Sequence, residues 1–78
     1  MQTELGPGIR VDGMAVRRLR LLHRHLGVAA LAEELGISRD YLYKIESGQR
    51  PSVSPAMFRR LKEALNVETD VLLPASHK

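Results

Sequence analysis

No cysteine occurs among the 78 residues, so disulfides and Cys-based zinc sites are excluded as staples. No apolar run approaches the length of a membrane span. The opening stretch, MQTELGPGIRVDG, lacks the basic-then-apolar pattern of a signal peptide, which makes the cytoplasm, in association with the nucleoid, the expected location. Internal repeats, low-complexity tracts and a phosphate-cradling glycine loop are missing too; Gly6 and Gly8 merely flank a proline. A chain this short has room for one domain with a modest core. Four or five packed helices, helped by a second copy, are the expected route to stability.

What is present is basic charge in one region. The net charge of +3 is mild, yet Val16 to Lys62 holds ten basic residues against Glu33, Glu34, Asp40 and Glu46. Such an excess is what a phosphate binder presents, and an ordinary solvated surface accounts for it equally well.

Along the chain, residues 1–12 are expected to form an N-terminal arm, in which Ile9 and Val11 alternate around Arg10 and leave room for a short strand. Asp12 is a good N-cap for a first helix from Gly13 to His25. Its seam is Ala15, Leu19, Leu22 and Leu26 with Val16 beside them, and Arg17, Arg18, Arg20 and Arg24 fall mainly outside it. Gly27 separates a second helix, Val28 to Leu35, with Leu31, Ala32 and Leu35 inward. Gly36 supplies the permissive backbone of a helix C-terminus, Ile37 plugs the turn, and Ser38 caps helix three. Helix three spans Arg39 to Glu46 or Ser47 and stops at Gly48; Gln49 to Val53 reads as a loop. Ser54 and Pro55 open helix four, which carries Met57, Phe58, Leu61, Ala64 and Leu65 on one face and ends at Asn66. Thr69 is expected to cap a last turn through Leu73. The domain is thus placed at residues 13–73, with a tail at 74–78.

The segment ALAEELGISRDYLYKIESGQRP, Ala30 to Pro51, is the most informative part. It reads as two short amphipathic helices joined by a glycine-containing turn. Helix three has a dry side, Leu42 and Ile45, and an outer side with Arg39, Asp40, Tyr43 and Lys44. Donors and planar groups on a face held rigid by packing suit the DNA major groove.

Through Leu31-Ala32, Leu35-Gly36-Ile37-Ser38, Leu42, Ile45-Glu46 and Gly48, this stretch resembles the helix-turn-helix core of the Xre family, the Cro and phage-repressor type of DNA-binding domain. VRRLR, Val16 to Arg20, is similar to the family's first helix, and Phe58 to Leu65 to its fourth. The resemblance covers residues 14 to 73. It implies an all-α, lambda-repressor-like fold of four to five helices, with helix three in the major groove of double-stranded DNA and a homodimer on a palindromic site. The base-contacting positions would be Arg39, Asp40, Tyr43 and Lys44. Asp40 would either accept from cytosine or orient Arg39 and the helix N-terminus. Tyr41 would touch the backbone or pack half-buried. Ser47, Gln49 and Arg50 fall where the family's loop meets phosphates; Ser38, Arg17 and Arg24 are further phosphate candidates.

The chain departs from the pattern twice. Gly27 and Val28 stand where a polar cap and a glutamine usually brace helix three, leaving only backbone N–H groups as phosphate donors. Aligning VRRLR also needs one extra residue before Leu31. With it, Arg20 takes the place of a family arginine that pairs with the helix-three glutamate, here Glu46, as a structural clamp.

Other chemistries fit less well. His23 and His25, two apart on a helix, point in different directions, so no metal site and no cofactor are expected. Ser38, Ser47 and Ser54 are accounted for by caps and turns, and Asp40 has no positioned base partner, so no catalysis is expected. Arg59 and Arg60 read as a solvated face. The rival is an antitoxin-like or other protein-interaction module on the same scaffold. Val67, Val71, Leu72 and Leu73 would then be a partner site, rather than a dimer seam or a lid on the core. Four residues after Pro74 are short for a neutralising segment, which favours a regulator, most simply a repressor, with no small-molecule ligand.

Overall fold

Side-chain caps open three of the helices. The computed structural model describes residues 8–74; the first seven residues of the expected arm and the tail from Ala75 lie outside them. The Asp12 carboxylate accepts from the Met14 and Ala15 N–H groups at 3.1 and 3.2 Å and starts α1 (Gly13–Arg18). Helix α2 (Val28–Leu35) begins at Gly27 with no side-chain cap. It ends at Gly36, whose φ of 75° only glycine adopts cheaply. The Ile37 N–H then reaches back to the Ala32 carbonyl at 3.0 Å, closing the turn. Ser38 Oγ accepts from the Tyr41 N–H at 3.0 Å and opens α3 (Arg39–Ser47). Ser54 does the same for α4 (Pro55–Leu65) through the Met57 N–H at 3.1 Å. A four-residue α5 (Thr69–Leu72) completes the set.

The core lies where these helices meet. Val16, Leu31, Leu35, Leu42, Leu61 and Leu65 are at most 1 % exposed, each contributing about 1.5–3 kcal/mol of apolar transfer. Ala32 is buried beside them, and Ile37 packs half-buried under the turn. Gly13 makes the closest helix approach: a Cβ there would run into the Ile45 and Glu46 carbonyl oxygens, so α1 rests directly on the end of α3.

The first helix departs from expectation. Instead of running regularly to His25, α1 passes into a π-helical segment (Leu19–His23), in which the Arg24 N–H bonds the Leu19 carbonyl five residues back at 3.1 Å. A π segment takes up one residue more than an α-helix of the same length. This one absorbs an extra residue and rotates the chain beyond it. Arg20, four residues after buried Val16 and ahead of that rotation, faces inward at 5 % exposure, whereas Leu22, expected in the seam, is 70 % exposed. His25 ends the segment in the left-handed region, φ 55°.

Two further differences concern the ends. The stretch 49–53, read as a loop, contains β2 (Ser52–Val53), which pairs antiparallel with β1 (Ile9–Arg10), Ile9 opposite Val53 and Arg10 opposite Ser52. The Val11 N–H extends the ladder to the Pro51 carbonyl at 2.9 Å. A pairing of two residues leaves no alternation long enough to read. Helix α5 is preceded by Glu68, not capped by Thr69, because the Thr69 hydroxyl accepts from Lys62 Nζ at 2.9 Å. Within the apolar end, Leu72 is buried and Val67 half-buried, while Val71 and Leu73 remain 44 % and 37 % exposed.

Candidate nucleic-acid interface

Helix α3 is held from below and bare above. Its inner side chains, Leu42 and Ile45, are at most 1 % exposed. Next to them the Glu46 carboxylate is gripped at both oxygens by Arg20, Nε to Oε2 at 2.7 Å and Nη2 to Oε1 at 2.9 Å. The third guanidinium donor, Nη1, reaches the Leu26 carbonyl at 3.0 Å. A fork-on-fork pair fixes both distance and orientation. The Glu46 hydrogen bonds hold the Arg20 charge firmly on, raising its pKa above the ordinary arginine value against the opposing effect of burial. No buried side-chain polar atom among the described residues lacks a partner.

On the outer side Arg39, Asp40, Tyr43 and Lys44 are all exposed. Asp40 approaches Lys44 at 3.2 Å across one helical turn, and not Arg39. With side chains 46 % and 77 % exposed, this pair is worth about 0.3–0.5 kcal/mol, so an incoming base edge can replace it.

The flanks of α3 carry the remaining sequence candidates. Ser38 is exposed, its hydroxyl oxygen already accepting from the Tyr41 N–H. Ser47 folds back on the helix end, donating to the Lys44 carbonyl at 3.3 Å and accepting from the Gln49 N–H at 3.4 Å. The Arg50 N–H also bonds the Lys44 carbonyl, at 2.9 Å, and its guanidinium lies 5.0 Å over the half-buried Tyr41 ring. Tyr41 therefore packs and supports a cation at once. On the other flank, exposed Arg17 shares a groove with Tyr43, Ser47 and Val28. Gly27 is exposed with open space around its Cα, and Val28 is half-buried against the core.

Arg24 is placed differently from the rest. Its guanidinium donates to the Ala64 carbonyl at the end of α4 and stands 3.5 Å from the Glu34 carboxylate. It is spent on tying the first helix to α4 and α2, and the structure does not bring it to the α3 face. Arg60 likewise reaches the Leu35 carbonyl at 3.4 Å. Arg18 also shares the groove between α1 and α3, and Arg10 stands exposed on the strand pair; charge alone singled out neither.

Comparison with known proteins supplies the context. A family model described as a helix-turn-helix domain matches residues 13–75. The restriction-modification controller protein C.AhdI from Aeromonas hydrophila is similar at 34% identity and TM-score 0.67, over 76% of this chain and 86% of that one. Two further structures match with TM-score 0.67, native PhpD with cadmium atoms at 26% identity and a mutant of hydroxyethylphosphonate dioxygenase at 27%. Each likeness spans 90% of this chain but 15% of the matched chain. A search of curated protein sequences found no match. With most of its length matched and α3 presented on a five-helix scaffold, the chain belongs to the Xre-type helix-turn-helix family of DNA-binding domains.

Proposed function

We propose that the protein is a sequence-specific transcriptional regulator, acting as a repressor by seating α3 in the major groove of its operator. The observation that carries this reading is the division of α3 into a packed side, Leu42, Ile45 and Glu46, and a solvated side, Arg39, Asp40, Tyr43 and Lys44. In this reading Arg39 pairs bidentately with guanine O6 and N7. Lys44 donates to a neighbouring base edge once it leaves Asp40, and Asp40 accepts from a cytosine amino group. Tyr43 stacks on a sugar or reaches a phosphate.

Phosphates would be held by Arg17, Arg50, Tyr41, Ser38, Ser47 and Gln49, and by the N–H groups at the uncapped start of α2, Gly27 and Val28. A second copy on the other half of a palindrome doubles these contacts, with half-sites about 34 Å apart, one helical turn. Repression results from occupancy, since the bound pair covers promoter DNA.

Arg39→Ala tests the reading most simply. On a selected duplex it should cost roughly 1–3 kcal/mol and relax preference at one base pair. Equal weakening on every duplex would make Arg39 a phosphate anchor and remove the base-reading role.

A further inference from the structure

We infer that the strand pair is part of the DNA-contacting surface, and that Arg10 grips a backbone phosphate beside the one assigned to Arg50. The inference rests on the DNA-binding reading above and adds a contact outside the helix-turn-helix. In β1 the side chains alternate. Ile9 packs against the core and Val11 is 7 % exposed, so Arg10 between them faces solvent. Pairing sets Arg10 opposite Ser52, where cross-strand Cβ atoms lie about 4.5–5.5 Å apart.

Gly8 is two residues from Arg10 and so shares its face. It lies so close to β2 that a Cβ there would come within 2.8 Å of the Ser52 Cβ. Gly8, Ser52, Arg50 and Tyr41 together line one cleft. The Arg50 guanidinium, stacked on Tyr41, keeps its N–H edge open to an acceptor. The ladder therefore sets Arg10 beside the loop that leaves the C-terminus of α3.

Among the described residues neither Arg10 nor Arg50 takes part in an ion pair. Two cations, Arg10 on the ladder and Arg50 on the loop that leads into it, are complementary to a polyanion lying across both. The Val11 N–H to Pro51 and the Asp12 N–H to the Leu72 carbonyl, at 2.9 and 2.7 Å, anchor the strand on both sides. Little backbone freedom is then lost when Arg10 engages.

The test is equilibrium binding of the full chain to an operator and a random duplex over a range of salt. One phosphate contact changes the log–log salt slope by about 0.9 and is worth about fivefold in affinity near 0.15 M salt. Arg10→Gln, which keeps a long side chain on the strand without the charge, should lose that factor on both duplexes and flatten the slope by about one. Arg10→Lys should restore the slope. Arg59→Ala, which removes an exposed charge from α4, should leave the slope unchanged. An unaltered slope for Arg10→Gln, or an equal change for Arg59→Ala, overturns the assignment. Absence of duplex binding by the unsubstituted chain would sink this inference together with the DNA-binding reading; binding that is indifferent to Arg10 sinks this one alone.

Discussion

At the scale of single residues, the Arg20–Glu46 pair has the most at stake. Both groups are nearly dry, at 5 % and 7 % exposure, so removing one strands a charge in the core. Glu46→Ala should therefore cost roughly 3–5 kcal/mol. For a domain whose whole stability is of order 4–12 kcal/mol, urea unfolding will show a large fall in midpoint. An unchanged midpoint would mean that the pair is wet in solution. Because the Arg20 pKa is raised on folding, its contribution is complete at neutral pH. It is lost only as pH climbs past the arginine range, so titration of Arg20 gives no pH dependence near neutrality. Gly13→Ala meets unyielding backbone carbonyls and should destabilise by about 1–3 kcal/mol or more. At His25, φ 55°, valine should cost about 1–2 kcal/mol whereas glycine is tolerated; equal effects in thermal unfolding would contradict the left-handed turn. These residues differ in how far the sequence announces them. The Arg20–Glu46 pairing emerges from the family resemblance once one extra residue is allowed. Nothing in the sequence marks Gly13 as a contact, because its partner atoms are backbone oxygens distant along the chain.

At the scale of elements, what is local is legible. Asp12, Ser38, Ser54 and Gly36 announce their helix ends because each cap acts within a few residues of itself. Thus α1, α3 and α4 begin at Asp12, Ser38 and Ser54, and α2 ends at Gly36. The π segment is defined by carbonyl partners five residues back, and no apolar period reports that. Its trace in the sequence is the surplus residue between Val16 and Leu31. This predicts an asymmetry between deletions. Removing Leu22, beyond Arg20, should turn the π segment into ordinary helix with the Arg20–Glu46 pair intact and stability within about 1–2 kcal/mol of the original. Removing Arg17 instead swings Arg20 out of register and should unfold the domain, by circular dichroism in urea. Similar losses for the two deletions would contradict a one-residue insertion. The β1–β2 ladder is equally illegible, since pairing between segments some forty residues apart leaves no mark in either. The outer face of Arg10 goes unmarked for the same reason.

At the scale of the whole molecule, the proposed reading has the basic excess between Val16 and Lys62 supply affinity while α3 supplies choice. With about six phosphates held, log affinity should fall against log salt with a slope of roughly −5; a flat dependence would remove the electrostatic half of the account. Sedimentation of the chain with a palindromic duplex should give two copies per site, whereas one copy would rule out the twofold arrangement. In the proposed reading the solvated face of α3 recognises base sequence. Selection of bound duplexes from random DNA tests it most directly. Enrichment of one symmetric motif, whose preferred base pairs change when Arg39 is replaced by alanine, is the expected result. Recovery of DNA with no enriched motif would contradict it.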